Sequence, residues 1–424
     1  MKVTEYKRIQ EKVFCYKHAS GLKAFVIPKK GYNKIYSTFA TYYGSMHNTF
    51  VVPGETKETS VPDGIAHFLE HKLFEQEDGS VMDKFSQLGS EPNAYTSFTQ
   101  TVYLFSCTEL FDENFRLLVN YVQNPYLTDE NVEKEKGIIG QEIKMYEDNA
   151  DWRVFFNLLD ALYVNHPVKI DIAGTVESIS KITKDTLYTC YNTFYHPSNM
   201  IILTVGDVDP ESVFKMVEEG IVTRKDPGEI KRIVRDEPLY HNKQLVEKKL
   251  AVAMPQFQMG IKDKSSRLGY DLLTRKISLE IILSMLMGRS SPLYNQLYTE
   301  GLINQNFGMD VNLEEHYGFT CWGGQSQDPV QASHKINEAV LKMQKDGLDK
   351  NGFERIKKAH EGSFIRGLNS PENISHEFIP LYFKGVDYFD HTRIYEELTL
   401  EDAEMVFKDH FSMEPAMSVI WPLK

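Results

Sequence analysis

The sequence predicts an α+β fold made of two homologous halves, and two observations lead to this prediction. First, short segments rich in β-branched and aromatic residues alternate with longer segments of helical pattern. Second, similar segments recur at a nearly constant interval. Residues 127–134 resemble residues 348–355, which lie 221 positions later, and residues 182–185 resemble residues 398–401, which lie 216 positions later.

The two halves define two predicted domains and a linker. Residues 221–243 are charged and turn-forming, and they include Pro227 and Gly228. We therefore predict an N-terminal domain at residues 1–220 and a homologous C-terminal domain at residues 244–424. Only the first half contains a motif with two histidines. A gene duplication in which one copy kept this site explains the difference better than two independent domains do.

Composition narrows the class of protein and its partners. The chain has 424 residues, of which 42% are hydrophobic and 25% charged, as in globular proteins of more than one domain. The net charge of -13 argues against a general nucleic-acid binder. The sequence has no apolar run of about 20 residues and no secretory signal at its polar N-terminus, so we expect no membrane partner. Four isolated cysteines suit a reducing cytoplasm and exclude a disulfide framework.

Strands are predicted at the start of the first half. Residues 13–16, 23–27 and 35–43 are β-branched and aromatic, and turn signals separate them. Residues 44–62 are rich in Gly, Thr and Pro and predict a loop. Asp63, at the end of this loop, is the predicted N-cap of the next helix.

The rest of the first half predicts a hairpin, two helices and a buried strand. Residues 93–99 and 101–106 read as the two strands of the hairpin. Residues 110–123 and 129–162 read as helices, and residues 200–206 as the closing strand. The hairpin follows the histidine motif closely, so its first strand is either placed beside that motif or is an ordinary inner strand.

The histidine motif is the chemical centre of the sequence. His67, Glu70 and His71 occupy positions i, i+3 and i+4, which share one face of a helix, with about 6 Å of rise between the histidines. Both imidazoles can then reach one metal ion, with Glu70 beside its water. The string is the inverted counterpart of the His-Glu-x-x-His zinc helix. Because a lone histidine pair is usually incidental, the metal assignment depends on a third ligand downstream.

Two carboxylates on the predicted helix 129–162 are candidates for that role. Glu135 and Glu142 are two helical turns apart and share a face. Such a pair is usually solvated. Here Ile138, Ile139 and Ile143 flank the pair, so the pattern alone does not decide between a solvated pair and one that provides the third ligand.

These motifs resemble the pitrilysin family of zinc peptidases, and in particular its small bacterial type, which is similar to the subunits of the mitochondrial processing peptidase. The resemblance covers the whole chain: residues 67–71, Asn93-Ala94-Tyr95-Thr96, Glu135 with Glu142, and Ser290 to Tyr294 in the second half. It implies that each half is a mainly antiparallel sheet with helices packed on one face, and that the halves form a clam-like pair.

The resemblance also implies the roles of the site residues. One zinc ion per chain would be held by His67, His71 and Glu142, which lies 71 residues past His71. Glu70 would be the general base, and Glu135 a catalytic helper seven residues before the third ligand. The substrate-binding strand would be Asn93, Ala94, Tyr95 and Thr96, which pair with the peptide backbone.

One departure from the family pattern concerns partners. Relatives carry an Arg and a Tyr in the second half that bind substrate near the metal, and the aligned residues here are Tyr298 and Asn304. In the family, some active subunits pair with a metal-free sister that supplies missing groups. We therefore expect a homodimer or a heterodimer with a sister subunit.

Two functional hypotheses follow. The first is a zinc endopeptidase that binds peptides or short unstructured polypeptides as an added β-strand. The second is a non-catalytic or partner-dependent subunit of a heterodimeric peptidase, for which Tyr298 and Asn304 are the best support. A metal hydrolase acting on other substrates is the weakest reading, because the sequence has no phosphate loop, nucleophile elbow or basic aromatic patch.

Overall fold

The computed structural model describes residues 1–225, 227–264 and 267–423. Asp226, inside the predicted linker, lies outside the described residues. The chain forms two compact units. The first contains the described residues of Met1–Ile143, Asp171–Ile233 and Gly367–Phe383, and the second contains those of Lys144–Ile170, Val234–Arg366 and Lys384–Lys424. None of the described helices combines the length and the apolar character needed to cross a membrane.

The described strands, in chain order, are β1 (Lys2–Tyr6), β2 (Glu11–Lys17), β3 (Lys23–Pro28), β4 (Ile35–Thr41), β5 (Thr49–Val51), β6 (Glu58–Ser60), β7 (Glu75–Gln76), β8 (Gly79–Ser80), β9 (Glu91–Thr96), β10 (Thr101–Cys107), β11 (Met200–Gly206), β12 (Lys231–Arg232), β13 (Leu245–Leu250), β14 (Gln256–Lys262), β15 (Gly308–Leu313), β16 (Gly318–Gln325) and β17 (Ala416–Pro422).

The described α-helices are α1 (Ile65–Leu73), α2 (Val81–Gln87), α3 (Phe111–Gln123), α4 (Asp129–Asp148), α5 (Ala150–Leu162), α6 (Val176–Ser180), α7 (Lys184–Phe194), α8 (Pro210–Gly220), α9 (Gly269–Met287), α10 (Pro292–Thr299), α11 (Pro329–Asp346), α12 (Lys350–Gly367), α13 (Pro371–Phe383), α14 (His391–Glu397) and α15 (Leu400–His410).

Each unit is built on a mainly antiparallel sheet, and five strands of the first sheet have the topology of the second. The first has the strand order β1-β2-β3-β11-β4-β10-β9, and the second has the order β13-β17-β14-β16-β15. In both, a parallel pair (β3 with β11, β13 with β17) is followed by antiparallel neighbours. Strand β14 begins 221 residues after β4, and β17 begins 216 residues after β11. These offsets confirm the predicted α+β class and the two homologous halves.

The compact units differ from the predicted sequence domains at one pair of helices. Helix α5, from the first half of the sequence, packs on β14 and β17 in the second unit. Its counterpart α13, from the second half, packs on β4 and β11 in the first unit. There, Phe378 contacts the ring of Phe25 on β3 at 5.2 Å. The predicted boundaries follow the duplicated sequence, whereas the units follow packing, so the boundaries stay a prediction.

Three local predictions were wrong. The predicted helix 129–162 is two helices, because the side chain of Asn149 accepts a hydrogen bond from the backbone of Trp152 and starts α5 as an N-cap. Asp63 does not cap α1. The N-cap position is Gly64, and the Asp63 carboxylate instead accepts a hydrogen bond from the Asn48 amide at 2.8 Å. The predicted loop at residues 44–62 contains the short strands β5 and β6, because these pair with each other and β5 also pairs with β12. The four cysteines are unpaired.

Candidate metal centre

Helix α1 places His67, Glu70 and His71 on one face, where His67 and Glu70 are buried and His71 is partly exposed. The N-cap residue before the helix is Gly64, whose φ of 87° lies in the left-handed region that favours glycine. A Cβ atom there would lie 2.4 Å from the carbonyl oxygen of Ala173, so the chain can approach this closely only without a side chain. The rings of His67 and His71 then stand 4.6 Å apart.

A third candidate ligand, Glu142, comes from α4. The Nε2 atom of His67 lies 3.7 Å from Oε1 of Glu142, and the Nε2 atom of His71 lies 3.5 Å from Oε2. One ligand atom from each of the three residues lies within 4.8 Å of the others, and they form the only such group among the described residues. The structure therefore brings together residues that are separated by 71 positions in the sequence.

Next to this cluster, a series of charged side chains fixes the orientation of His71. Its Nδ1 atom lies 3.1 Å from Oε1 of Glu135. Because a carboxylate only accepts hydrogen bonds, Nδ1 carries the hydrogen and donates it, which leaves Nε2 to face Glu142. The ammonium of Lys72, which is fully buried, lies 3.7 Å from the other oxygen of Glu135 and also pairs with Glu75. Spacing in the sequence gave no signal for this role of Lys72.

The ionisation of the cluster is set by burial and by its own charges. Burial, helped by neighbouring His71, lowers the pKa of His67 to about 4. Burial also acts to lower the pKa of His71, but the hydrogen bond to Glu135 and the surrounding carboxylates outweigh it and raise that pKa above its usual value. The pKa of Glu135 is held low, because His71 and Lys72 outweigh the effect of its burial.

Glu70 is a buried carboxyl group on the same helix as the two histidines. Its side chain is 8% exposed, and burial raises the pKa of its carboxyl to about 7 although a hydrogen bond from Thr96 acts in the opposite direction. A carboxyl group with a pKa near neutrality can both accept and donate a proton at physiological pH.

The predicted substrate strand is β9, at the edge of the seven-stranded sheet. Within the described residues it pairs only with β10, so its outer backbone edge is unpaired. Neighbouring residues point to opposite faces. The Thr96 hydroxyl reaches Glu70 on α1, whereas the Tyr95 ring packs 5.3 Å from His376 on α13. The Asn93 side chain accepts a hydrogen bond from the backbone of Ala94.

The donor set fits zinc. Two imidazole nitrogens and one carboxylate are ligands that zinc takes in catalytic sites, where a fourth position stays open. The low pKa of His67 keeps its ring neutral at physiological pH, which leaves its lone pair free for a metal.

Tyr298 and Asn304, the residues at the departure from the family pattern, lie in the second unit. The exposed Tyr298 ring stacks on Tyr294, and the Asn304 amide donates to Gln325 at 2.8 Å. Both are engaged in local contacts of that unit.

Comparison with known proteins identifies the relatives of the chain. A family profile described as Insulinase (Peptidase family M16) matches residues 45–176, and one described as Peptidase M16 inactive domain matches residues 181–359. The zinc protease YmfH of Bacillus subtilis, described as uncharacterized, is 44% identical over 419 residues, which cover 98% of this chain and 97% of that protein. The mitochondrial-processing peptidase subunit beta of Caenorhabditis elegans is 27% identical over 252 residues, which cover 53% and 55%.

A solved structure has the same fold over its full length. The crystal structure of a protein described as an M16-like peptidase from Alicyclobacillus acidocaldarius superposes with a TM-score of 0.94 at 33% identity and covers 99% of both chains. Relatives named as zinc proteases support a peptidase function. By its extent and identity, the match to YmfH shows that the chain belongs to peptidase family M16, the insulinase and pitrilysin family.

Proposed function

We propose that this protein is a zinc-dependent endopeptidase that cleaves peptides or short unstructured polypeptides. The observation that carries the proposal is the cluster of His67, His71 and Glu142, whose ligand atoms lie within 4.8 Å of one another. Glu70 stands on the same helix between the two histidines and is buried beside them. We assign His67, His71 and Glu142 as the ligands of one zinc ion per chain.

Each residue of the site has a distinct task in hydrolysis. Bound zinc supplies Lewis acidity, which polarises a carbonyl group and lowers the pKa of water to about 7. The Glu70 carboxylate accepts the proton of the attacking water and later donates it to the leaving amine. Glu135 acts one step away from the reaction, because it orients His71 through Nδ1.

The substrate is proposed to add to β9 as a further strand. The outer edge of Asn93 to Thr96 offers backbone N–H and C=O groups to an extended peptide. Recognition through the backbone is only weakly selective for sequence, and it requires a segment that is free to extend. This requirement favours peptides and unstructured chains over folded proteins.

The test measures metal content and cleavage together. Zinc per chain is measured by mass spectrometry, and cleavage is followed with a fluorogenic unstructured peptide before and after treatment with a chelator. Glu70→Gln is expected to keep zinc and to lose about 100- to 10,000-fold in kcat. Glu142→Gln is expected to lose zinc, whereas Glu130→Gln, an exposed change on the same helix, leaves both unchanged.

A zinc-loaded protein that cleaves no peptide, alone or with a sister subunit, would overturn the proposal. Chelation that leaves cleavage intact would do the same.

A second candidate is a subunit that needs a partner. Tyr298 and Asn304 replace the Arg and Tyr of relatives, and one relative of this chain is named as a subunit of a processing peptidase. In this case the active form is a homodimer or a heterodimer with a sister subunit. Light scattering after size-exclusion chromatography gives the oligomeric state. Activity that appears only after co-expression with a sister subunit carrying the Arg and Tyr supports this candidate, and full activity of the monomer excludes it.

A further inference from the structure

The Glu70 carboxylate accepts one side-chain hydrogen bond among the described residues, from Thr96. The Thr96 Oγ1 atom lies 2.5 Å from Oε2 of Glu70, which is in the range of a charge-assisted O–H···O bond. Thr96 is the last residue of β9, and Glu70 lies on α1, so this bond ties the edge strand to the helix that carries both histidines.

The available hydrogens fix the direction of this bond. A threonine hydroxyl has one hydrogen to donate, and Glu70 has none in the ionised form in which it acts as a base. The Thr101 hydroxyl lies 3.3 Å from that of Thr96, but its own hydrogen goes to the backbone oxygen of Tyr43 at 2.9 Å. The Thr96 hydrogen therefore goes to Glu70.

The position of the Thr96 hydroxyl is set before substrate arrives. Thr96 and Thr101 are opposite each other in the β9–β10 hairpin, and Ser97 N closes the turn on Gln100 O at 2.8 Å. Thr101 is fully buried. The β-branched side chain of Thr96 has few χ1 rotamers, so the register of the hairpin also places its oxygen.

The bond engages one of the two carboxylate oxygens. Among the described residues, no hydrogen bond engages Oε1 of Glu70, whereas Oε2 is held by Thr96. Rotation of the carboxylate about the Cγ–Cδ bond would break the contact with Thr96, so the orientation of Oε1 is also fixed. A general base must hold the accepting oxygen within hydrogen-bond distance of the water that it deprotonates.

We propose that Thr96 is a positioning residue of the peptidase reaction: its hydroxyl holds Glu70 in the orientation in which Oε1 takes the proton from water. The inference rests on the proposed function of the site. It gives the Thr96 side chain a task different from that of its backbone, which lies on the proposed substrate edge.

The first test separates turnover from binding. Thr96→Val keeps the branched shape and removes the hydroxyl, and Thr96→Ser keeps the hydroxyl. We expect kcat of the zinc-loaded Thr96→Val protein to fall by about 10- to 100-fold, as for other lost hydrogen bonds to a charged group. KM and zinc content should be unchanged, and Thr96→Ser should recover most of the activity. Thr99→Val, in the same hairpin, is the matched control.

The second test does not depend on activity. In the Glu70→Gln background, binding of a fluorescent unstructured peptide is measured by anisotropy with and without Thr96→Val. An unchanged Kd supports a role through Glu70, whereas a weaker Kd shows that Thr96 acts on the substrate and overturns the proposal. A kcat of Thr96→Val equal to that of the wild type also overturns it. Failure of the proposed function is recognised separately, because the wild-type protein itself would then be inert.

Discussion

Glu135 offers a quantitative test of how the metal centre is held. It is 7% exposed, accepts the hydrogen bond from Nδ1 of His71 at 3.1 Å, and faces the buried ammonium of Lys72. Two substitutions separate its effects. Glu135→Gln retains an oxygen that can accept from Nδ1 but removes the charge. Glu135→Ala removes both the acceptor and the charge.

The expected size of the effect follows from these contacts. Loss of a group that orients a metal ligand weakens metal binding by about 10- to 100-fold. We expect Glu135→Gln to weaken zinc binding by about 10-fold, the lower value of this range, because the tautomer of His71 is preserved. We expect Glu135→Ala to weaken zinc binding by about 100-fold, or about 2.7 kcal/mol. His71 is then free to rotate, and Glu75 is the one partner that Lys72 keeps among the described residues.

Zinc affinity is measured by competition with a chromophoric chelator at neutral pH, with Glu130→Gln as the control on the same helix. Zinc binding by Glu135→Ala that is as tight as in the wild type would show that Glu135 does not support the metal site. Equal effects of Gln and Ala would show that the hydrogen bond to Nδ1 contributes nothing.

Three further predictions concern stability. Gly64→Ala should lower the thermal unfolding midpoint, because the left-handed backbone costs about 1–2 kcal/mol and the new Cβ would clash with Ala173; an unchanged midpoint would contradict this. Phe378→Ala should lower the free energy of unfolding in urea by about 3–5 kcal/mol, because it removes a buried ring of α13. A loss below about 1 kcal/mol, as for a typical Ile→Val change, would contradict the packing role of that helix. Burial acts to raise the pKa of Asp263, but hydrogen bonds from His410 and Arg275 outweigh it and hold that pKa low. Its stabilisation is therefore present above the unfolded pKa and lost as the pH falls below about 4. Asp263→Asn should cost about 3–5 kcal/mol at neutral pH and flatten the acid side of the stability profile; a parallel profile would contradict the assignment.

Local patterns predicted most of the elements of the first half, because their signals are contained within a few residues. The hairpin at 93–106 and the strand at 200–206 agree with β9, β10 and β11. The start of α1 could not be predicted in the same way. Asp63 and Gly64 are both plausible N-caps, and the choice depends on the contact of Asp63 with Asn48, which is distant in the sequence.

The site was predictable only in part. Helical spacing was enough to bring His67, Glu70 and His71 together. Spacing could not assign Glu142, because its position depends on where the separate helix α4 lies in the fold, and the resemblance to relatives supplied that residue. The task of the Thr96 hydroxyl depends on the hairpin register and on which acceptor each threonine hydrogen reaches. Both are visible only in the three-dimensional structure.

The second half shows that the fold itself does not require the polar cluster. It builds the same five-strand topology, and its helix α9 buries leucine and isoleucine side chains without a histidine. In the first half, the Nδ1 atom of His67 is buried without a hydrogen-bond partner among the described residues, at a cost of about 1–3 kcal/mol. The fold does not need His67, and the buried Nδ1 atom lowers its stability, so a chemical role is the best explanation for this residue. Zinc binding to the folded state would offset that cost, so the free energies of folding and of metal binding are coupled at this site.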